Sequence, residues 1–375
     1  MRLAELHLML VVFSMPLPAQ QSISLSVGTP GPEFKSVRAV RELADGRTLV
    51  IDSDERALFV VDWSTLQRRA VGRTGNGPGE YQYPGQLVAL GADSTLLIDF
   101  QNGKWHFLNR DRFTTSLQRD DSTVSWFACG SMVGADSMGR LLALRGSRFP
   151  ERYQSYQRSR CGPPERAESL AVILVRRRTG TRDTVALIRG PYTGESTYHT
   201  RTATVRTMVY VLPNPLSAGD QALLFPDGWT AIVIAAPYHV VWHAPGGAVI
   251  KGQPLPFAQQ RVDDRVKRLA MDDSWPPSPH IPKFQTSDFP AWPAVVPPFL
   301  KNALVAMPDG RIAIKRTTFE ADRKNQYDIV DRRGVLSGVL RLPRNERLIG
   351  SGKQFVYVAA TDVDEVQFLR RHSWP

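Results

Sequence analysis

Shifted by 47 residues, the chain falls on itself: Glu33-Phe34 on Glu80-Tyr81, Leu49 on Leu96, Ile51-Asp52 on Ile98-Asp99, and the apolar segment ending at Asp62 on the one ending at Asn109. A period of this length marks a supersecondary unit that cannot bury its apolar faces alone and must stack on copies of itself. Within each unit an apolar strand, a tight Asp/Gly turn, a second apolar strand and two strands of alternating character follow one another. That succession is a four-stranded antiparallel blade, and a ring of such blades leaves no long sheet edge open. The turn recurs six times, at Asp45, Asp93, Asp136, Asp227, Asp309 and Gly350. The expected fold is therefore all-β, a six-bladed β-propeller.

Blade four displays the unit most cleanly, in "ALLFPDG", "TAIVIAA", "HVVWHAP" and "AVIKGQPL". The sixth blade is short of a strand: after "RLIGSG", "FVYVAA" and "VQFLRR" the sequence ends, while Ser22 to Val27 belongs to no blade. An N-terminal strand is thus expected to complete the last blade and close the ring. The turn spacing is uneven, 91 residues from Asp136 to Asp227 and 82 from Asp227 to Asp309. These gaps place insertions near 147–170, 190–220 and 257–299. Residues 198–212 read as an extra hairpin between blades three and four in preference to a degenerate seventh blade. In the last gap Val262, Val266, Leu269 and Ala270 have helical spacing, which predicts an amphipathic helix over Ala258 to Asp273. From Trp275 to Phe299 eight prolines alternate with aromatic residues, the composition of a stiff, extended cover.

The start reads as an export signal over residues 1–19, with Arg2 ahead of the apolar run Leu6 to Met15 and cleavage after Ala19. Residues 20–375 then form a single domain, periplasmic or secreted and monomeric. No later run has the roughly twenty apolar residues of a membrane span. The formal charge is +11, a field that draws anions: acidic polysaccharide, lipid headgroups or an acidic protein. The arginines occur in short groups such as Arg176 to Arg178, without the interleaved aromatics of a single-strand nucleic-acid platform, so nucleic acid is not an expected partner.

The string from Val71 to Asp111, with "GRTGNGPGEYQYP" at its head, resembles the repeat of NHL-type six-bladed β-propellers, in which a Gly-Pro-Gly loop precedes the innermost strand. Gly28 to Asp62, with "GTPGPEF", is a looser copy. The whole chain is also similar to exported six-bladed propellers of Gram-negative bacteria, whose roles are mostly unassigned. The resemblance implies fold and not function.

Alternating strand direction fixes which loops share a face. Connections between blades lie with the loops joining second to third strands, and the Asp-Gly turns lie opposite. The long segments all fall on the first of these faces, so a ligand site is expected there, with Arg73, Glu80, Tyr81, Tyr83, Asp52, Asp99, Trp275 and Trp292 as candidate contacts. Asp52 and Asp99 end second strands, where a carboxylate also serves to accept backbone N–H groups of the next turn. Cys129 and Cys161 map to this face as well; an exported chain is expected to oxidise them, and the bond would contribute about 3 kcal/mol.

His239 and His243 stand on one side of a third strand, with His106 in the equivalent strand of blade two. Some NHL-type lyases ligate metal through channel histidines, but their ligand pattern has no match here, and third strands lie away from the channel. No cofactor is therefore expected, calcium or zinc being the ones an enzyme would need. Nucleophile elbows, phosphate loops and metalloprotease helices are absent. Two functions stay open: a non-catalytic module binding a peptide, glycan or protein, and a metal-dependent lyase or lactonase-type enzyme with a channel site.

Overall fold

A computed structural model describes residues 21–118, 121–127, 130–145, 169–190, 196–201, 207–212, 214–274, 284–289, 291–319 and 324–375. Six antiparallel sheets form the predicted ring. Blade one comprises Val37–Glu42, Thr48–Asp52, Ala57–Asp62 and Gln67–Ala70, and blade two Pro84–Ala89, Ser94–Asp99, Trp105–Asn109 and Arg112–Leu117. Blade three runs from Gly130–Ala135 to Arg182–Arg189, blade four from Gln221–Leu224 to Val249–Lys251, and blade five from Leu304–Ala306 to Leu336–Leu342. Blade six takes Glu346–Ser351, Phe355–Thr361 and Gln367–Ser373 from the C-terminal end.

The physical reason for the repeat is visible in the second strands. Thr48–Asp52 is buried at every position, because a sheet standing between two others has no solvent face. Alternate residues then serve alternate neighbours: Leu49 and Ile51 pack toward blade two, Val50 toward blade six. The result is six separate apolar cores, one in each gap between blades, and not one central core. Trp242 and Phe299 fill the gap between blades four and five, Trp105 and Phe127 the gap between two and three. Full burial of each such side chain is worth roughly 1.5–3 kcal/mol.

Arginines help hold neighbouring blades together. Arg332 of blade five pairs with Asp227 of blade four at 2.5 Å and lies over the Trp229 ring at 4.9 Å. Arg47 of blade one reaches Asp111 of blade two at 3.2 Å, and Arg371 of blade six stacks over Trp63 of blade one at 4.8 Å. Buried tyrosines add hydrogen bonds across the gaps, as where Tyr327 of blade five accepts the Leu348 N–H of blade six at 3.0 Å.

The N-terminal region does close the last blade, but through a different segment from the one the sequence points to. Thr29–Phe34 pairs antiparallel with Gln367–Ser373 and becomes the outer strand of blade six. Ser22–Ile23 instead adds a parallel fifth strand to the edge of blade five, beside Val339 and Leu340. Thr29–Phe34 carries two prolines, and an outermost strand tolerates them because one of its edges needs no partners. The register is broken between Pro30 and Glu33, where the strand bulges.

The gap between blades three and four holds the expected hairpin, Ser196–Arg201 with Thr207–Leu212. The helix after blade four spans Asp264–Ser274, shorter than its apolar pattern. Asp263 sets the start: its carboxylate accepts the Val266 N–H at 2.8 Å, an N-cap that leaves residues 258–262 extended. That extended stretch pairs with the Pro-rich segment, Val262 N–H to the Ala294 carbonyl and Val296 N–H to the Gln260 carbonyl. Together they enclose a seventh apolar cluster of Leu216, Val266, Ala270, Val296 and Phe319.

Candidate functional site

Two of the expected contacts are committed to the backbone. Asp52 is fully buried and accepts N–H groups of Lys35, Asp54 and Glu55 at 2.7, 3.0 and 3.0 Å. Asp99 does the same for Gln82, Tyr83 and Gln101 at 2.7, 3.0 and 3.1 Å. Each ties the connection entering its blade to the loop leaving the second strand. His106 places Nδ1 2.8 Å from the Ser116 hydroxyl and Nε2 4.0 Å from Asp99, which is beyond hydrogen-bond reach. Burial holds the imidazole below its ordinary pKa, with Asp99 opposing, so the ring is a neutral packing element.

Tyr81 is buried, its hydroxyl accepting from Leu58 N–H at 2.9 Å and donating to the Val71 carbonyl at 3.1 Å. Glu80 folds back on the Gly-rich loop, accepting from Gly77 N–H at 2.7 Å and from the exposed Arg73 at 2.6 Å, which hold its carboxyl below the usual range. Tyr83 stacks on the half-exposed Phe100, with the Arg38 guanidinium 5.2 Å from the Phe100 ring. Trp292 donates to the Thr286 carbonyl at 3.2 Å and packs on the cluster beneath the cover. Trp275, Cys129, Cys161 and residues 1–19 lie outside the described residues.

The structure opens a cavity of about 430 Å³ at another junction of the same face, between blades five and six. Its walls are Leu300 to Ala303, which lead into blade five; Lys315 to Phe319, which leave its second strand; and Arg344 to Arg347, which lead into blade six. The C-terminal turn of the Asp264–Ser274 helix roofs it through Ala270, Asp273 and Ser274. The walls are fixed by amide side chains. Gln221 accepts the Ala303 N–H at 3.2 Å and donates to the Leu300 carbonyl at 2.6 Å. Asn325 donates to the carbonyls of Arg344 and Glu346 at 3.0 and 2.6 Å, and Asn345 to that of Thr361 at 2.6 Å.

The electrostatics are uneven. Arg316 is neutralised by the buried Asp328 at 2.7 Å, which also accepts from Tyr238 at 2.9 Å; burial pushes the Asp328 carboxyl up against these partners. Glu346 is taken by Arg370 at 2.5 Å. Among the described residues Lys315 has no ion pair of this kind: burial and the nearby Arg347 guanidinium push its ammonium below the ordinary lysine range, with the Asp273 carboxylate opposing. Burial likewise lowers Arg347.

None of these cavity residues stood among the sequence candidates, although a signal was present. At the repeat position where blades one and two carry Asp52 and Asp99, blade five carries Arg316, preceded by Lys315. Among the described residues no group of three His, Cys, Asp or Glu side chains is placed to hold a metal ion. No helix among them is long and apolar enough to cross a membrane.

No protein-family model matches the chain, and no curated protein matches it. Solved structures do. A Bacteroides fragilis protein named as exported aligns over 96% of this chain and 96% of its own, at 11% identity and a TM-score of 0.51. A Bacteroides thetaiotaomicron protein of unknown function aligns over 95% and 73%, at 9% identity and 0.43. The calcium-binding protein regucalcin of Agrobacterium tumefaciens aligns over 95% and 97%, at 10% identity and 0.42. At these identities the likeness is one of fold, and the fold of this chain is the six-bladed β-propeller.

Proposed function

We propose that this protein is an exported, non-catalytic binding protein that takes a small polar ligand, a saccharide, into the cavity between blades five and six. The observation that carries the reading is the cavity itself, on the face that gathers the helix and the Pro-rich cover. Its 430 Å³ falls in the range of small-molecule sites. Its lining is mostly polar, with hydroxyl and amide side chains such as Asn302, Thr318 and Thr361 standing beside an equal share of charged ones, and Phe319 is the aromatic residue among them. Such a lining matches the hydroxyl groups of a sugar better than the apolar side chains of a peptide. Export rests on the N-terminal pattern of Arg2 and the apolar run to Met15.

The test is a screen of the purified chain against an array of neutral and acidic oligosaccharides, repeated with Thr318→Trp, which fills the cavity. The expected result is saccharide binding by the native chain that is lost in the variant at an unchanged melting temperature. Binding that survives the block would place the site elsewhere.

A further inference from the structure

We infer that the ligand of this cavity carries a carboxylate, seated between the Lys315 ammonium, the Arg347 guanidinium and the Thr317 hydroxyl, so that the ligand is a uronate or a related acidic saccharide. The inference rests on reading the cavity as a saccharide site and adds the charge of what enters it.

Two independent features point to an anion at this place, and a third limits its charge. The first is an imbalance of charge. Arg316 and Glu346, which also line the cavity, each have a partner of opposite sign. Among the described residues Arg347 donates to neutral acceptors alone, the Val37 carbonyl and, at 3.3 Å, the Gln367 amide oxygen. Lys315 lines the cavity together with Arg347 and Asp273 and, among the described residues, forms no ion pair with an acid. Lys301 and Arg344 at the rim add to the same sign. An anion entering here would relieve a repulsion that the protein leaves standing.

The second feature is an orphaned donor. The Thr317 Oγ1 is shielded from solvent and has no hydrogen-bond partner, although its residue lines the cavity. A buried hydroxyl left unpaired is destabilising, and an acceptor oxygen of a ligand would satisfy it. The third feature is the helix. Asp264–Ser274 presents its C-terminal turn to the cavity, the end that carries partial negative charge. Phosphate sites use the opposite end of a helix. This end disfavours any anion, and a dianion about twice as much as a single carboxylate, so the helix limits the negative charge that Lys315 and Arg347 can hold here to one.

Binding should also take up protons. The cations and acids around Lys315 are Arg347, Arg316, Asp273 and Glu346, with Lys301 and Arg344 at the rim. A bound carboxylate favours the ammonium form, so where part of the Lys315 population is neutral, binding draws a proton from solvent.

The probes are D-galacturonate and D-glucuronate, the methyl ester of each, and the parent neutral sugars, titrated by calorimetry into the full chain. The expected result is uronate binding at least about tenfold tighter than either ester, since a charge-assisted hydrogen bond adds that much. Lys315→Met should erase this preference, so that uronate and ester bind alike. As a measurement free of any variant, uronate affinity should fall as alkaline pH removes the Lys315 proton, while ester affinity stays level. Esters and acids binding the native chain equally would overturn the carboxylate and leave the saccharide reading standing. If neither acids, esters nor neutral sugars bind, both readings fail together.

Discussion

The Tyr357 hydroxyl donates to Glu42 Oε2 at 2.6 Å across the seam between blades six and one, joining residues 315 positions apart. Glu42 also accepts the Lys353 N–H at 3.1 Å, and the line continues from Tyr357 through Thr48 to the Trp63 indole. This is the gap where the ring is closed by residues from its two ends. Replacing Glu42 by Ala leaves the buried Tyr357 hydroxyl and the part-buried Lys353 N–H without their acceptor, with an expected loss of about 1–3 kcal/mol. Tyr357→Phe keeps the ring packing and should cost about 1–3 kcal/mol. Urea unfolding followed by tryptophan fluorescence checks both; equal, negligible losses would show the seam to be held by apolar packing alone.

The two N-terminal strands should differ in weight. Starting the chain at Gly28 removes Ser22–Ile23 from an edge that blade five already completes with four strands of its own, and the buried Ile23 puts the cost at about 1.5–3 kcal/mol. Starting it at Lys35 removes Thr29–Phe34, strips Phe34 from the seam core and leaves Phe355–Thr361 and Gln367–Ser373 in a three-stranded blade. The second truncation should lower the melting temperature far more than the first. Similar melting temperatures would contradict the assignment of Thr29–Phe34 as the closing strand.

Alkaline pH should unfold the ring through its tyrosines. Burial pushes Tyr327 up to about 12 and drives Tyr238 and Tyr357 upward as well, with Asp328 and Glu42 adding to the effect. Each is raised in the folded state, so its contribution is intact below the unfolded value of about 10 and is lost as pH climbs toward the folded one. Absorbance of tyrosinate at 295 nm should therefore rise in two stages, exposed residues first and these three together with the loss of far-ultraviolet dichroism. A single ordinary titration with retained dichroism would count against their burial.

Asp328 ties Arg316 at the cavity wall to Tyr238 of blade four. Asp328→Ala removes the partner of a half-buried guanidinium and of a buried hydroxyl, with an expected cost of about 3–5 kcal/mol. Tyr238→Phe as a second substitution should cost little in that background, because its hydroxyl has already lost its acceptor. Thermal denaturation of the double-mutant cycle gives the coupling, and strict additivity would mean that the two groups do not share a network.

The architecture was legible because a second strand such as Thr48–Asp52 has no solvent face, which turns strand position into a run of apolar letters. Asp52 and Asp99 were legible as repeat features for the same reason, and their backbone contacts explain why both blades have them. The closing strand was harder. "TPGPEF" has the composition of a loop, and only its place at the outermost edge lets its prolines sit in a sheet. The cavity was hidden for a different reason. It is assembled from three separate connections, around Asn302, Lys315 and Arg347, that share no motif and belong to blades where the repeat is faint. What betrays it is a departure from the pattern, two cations where the better copies end in a hydrophobe and an aspartate.

The pairing of Thr29–Phe34 with Gln367–Ser373 also sets an order of events. A chain made or threaded from its first residue delivers one partner at the outset and the other at the end. Blades one to five can assemble in sequence as they emerge, each on the face of its predecessor. The sixth cannot be finished until the last residues arrive, so Thr29–Phe34 must wait unpaired while more than three hundred residues pass. Its two prolines and the break at Pro30 make it a poor template for a stray strand, which suits a segment that has to stay available for so long.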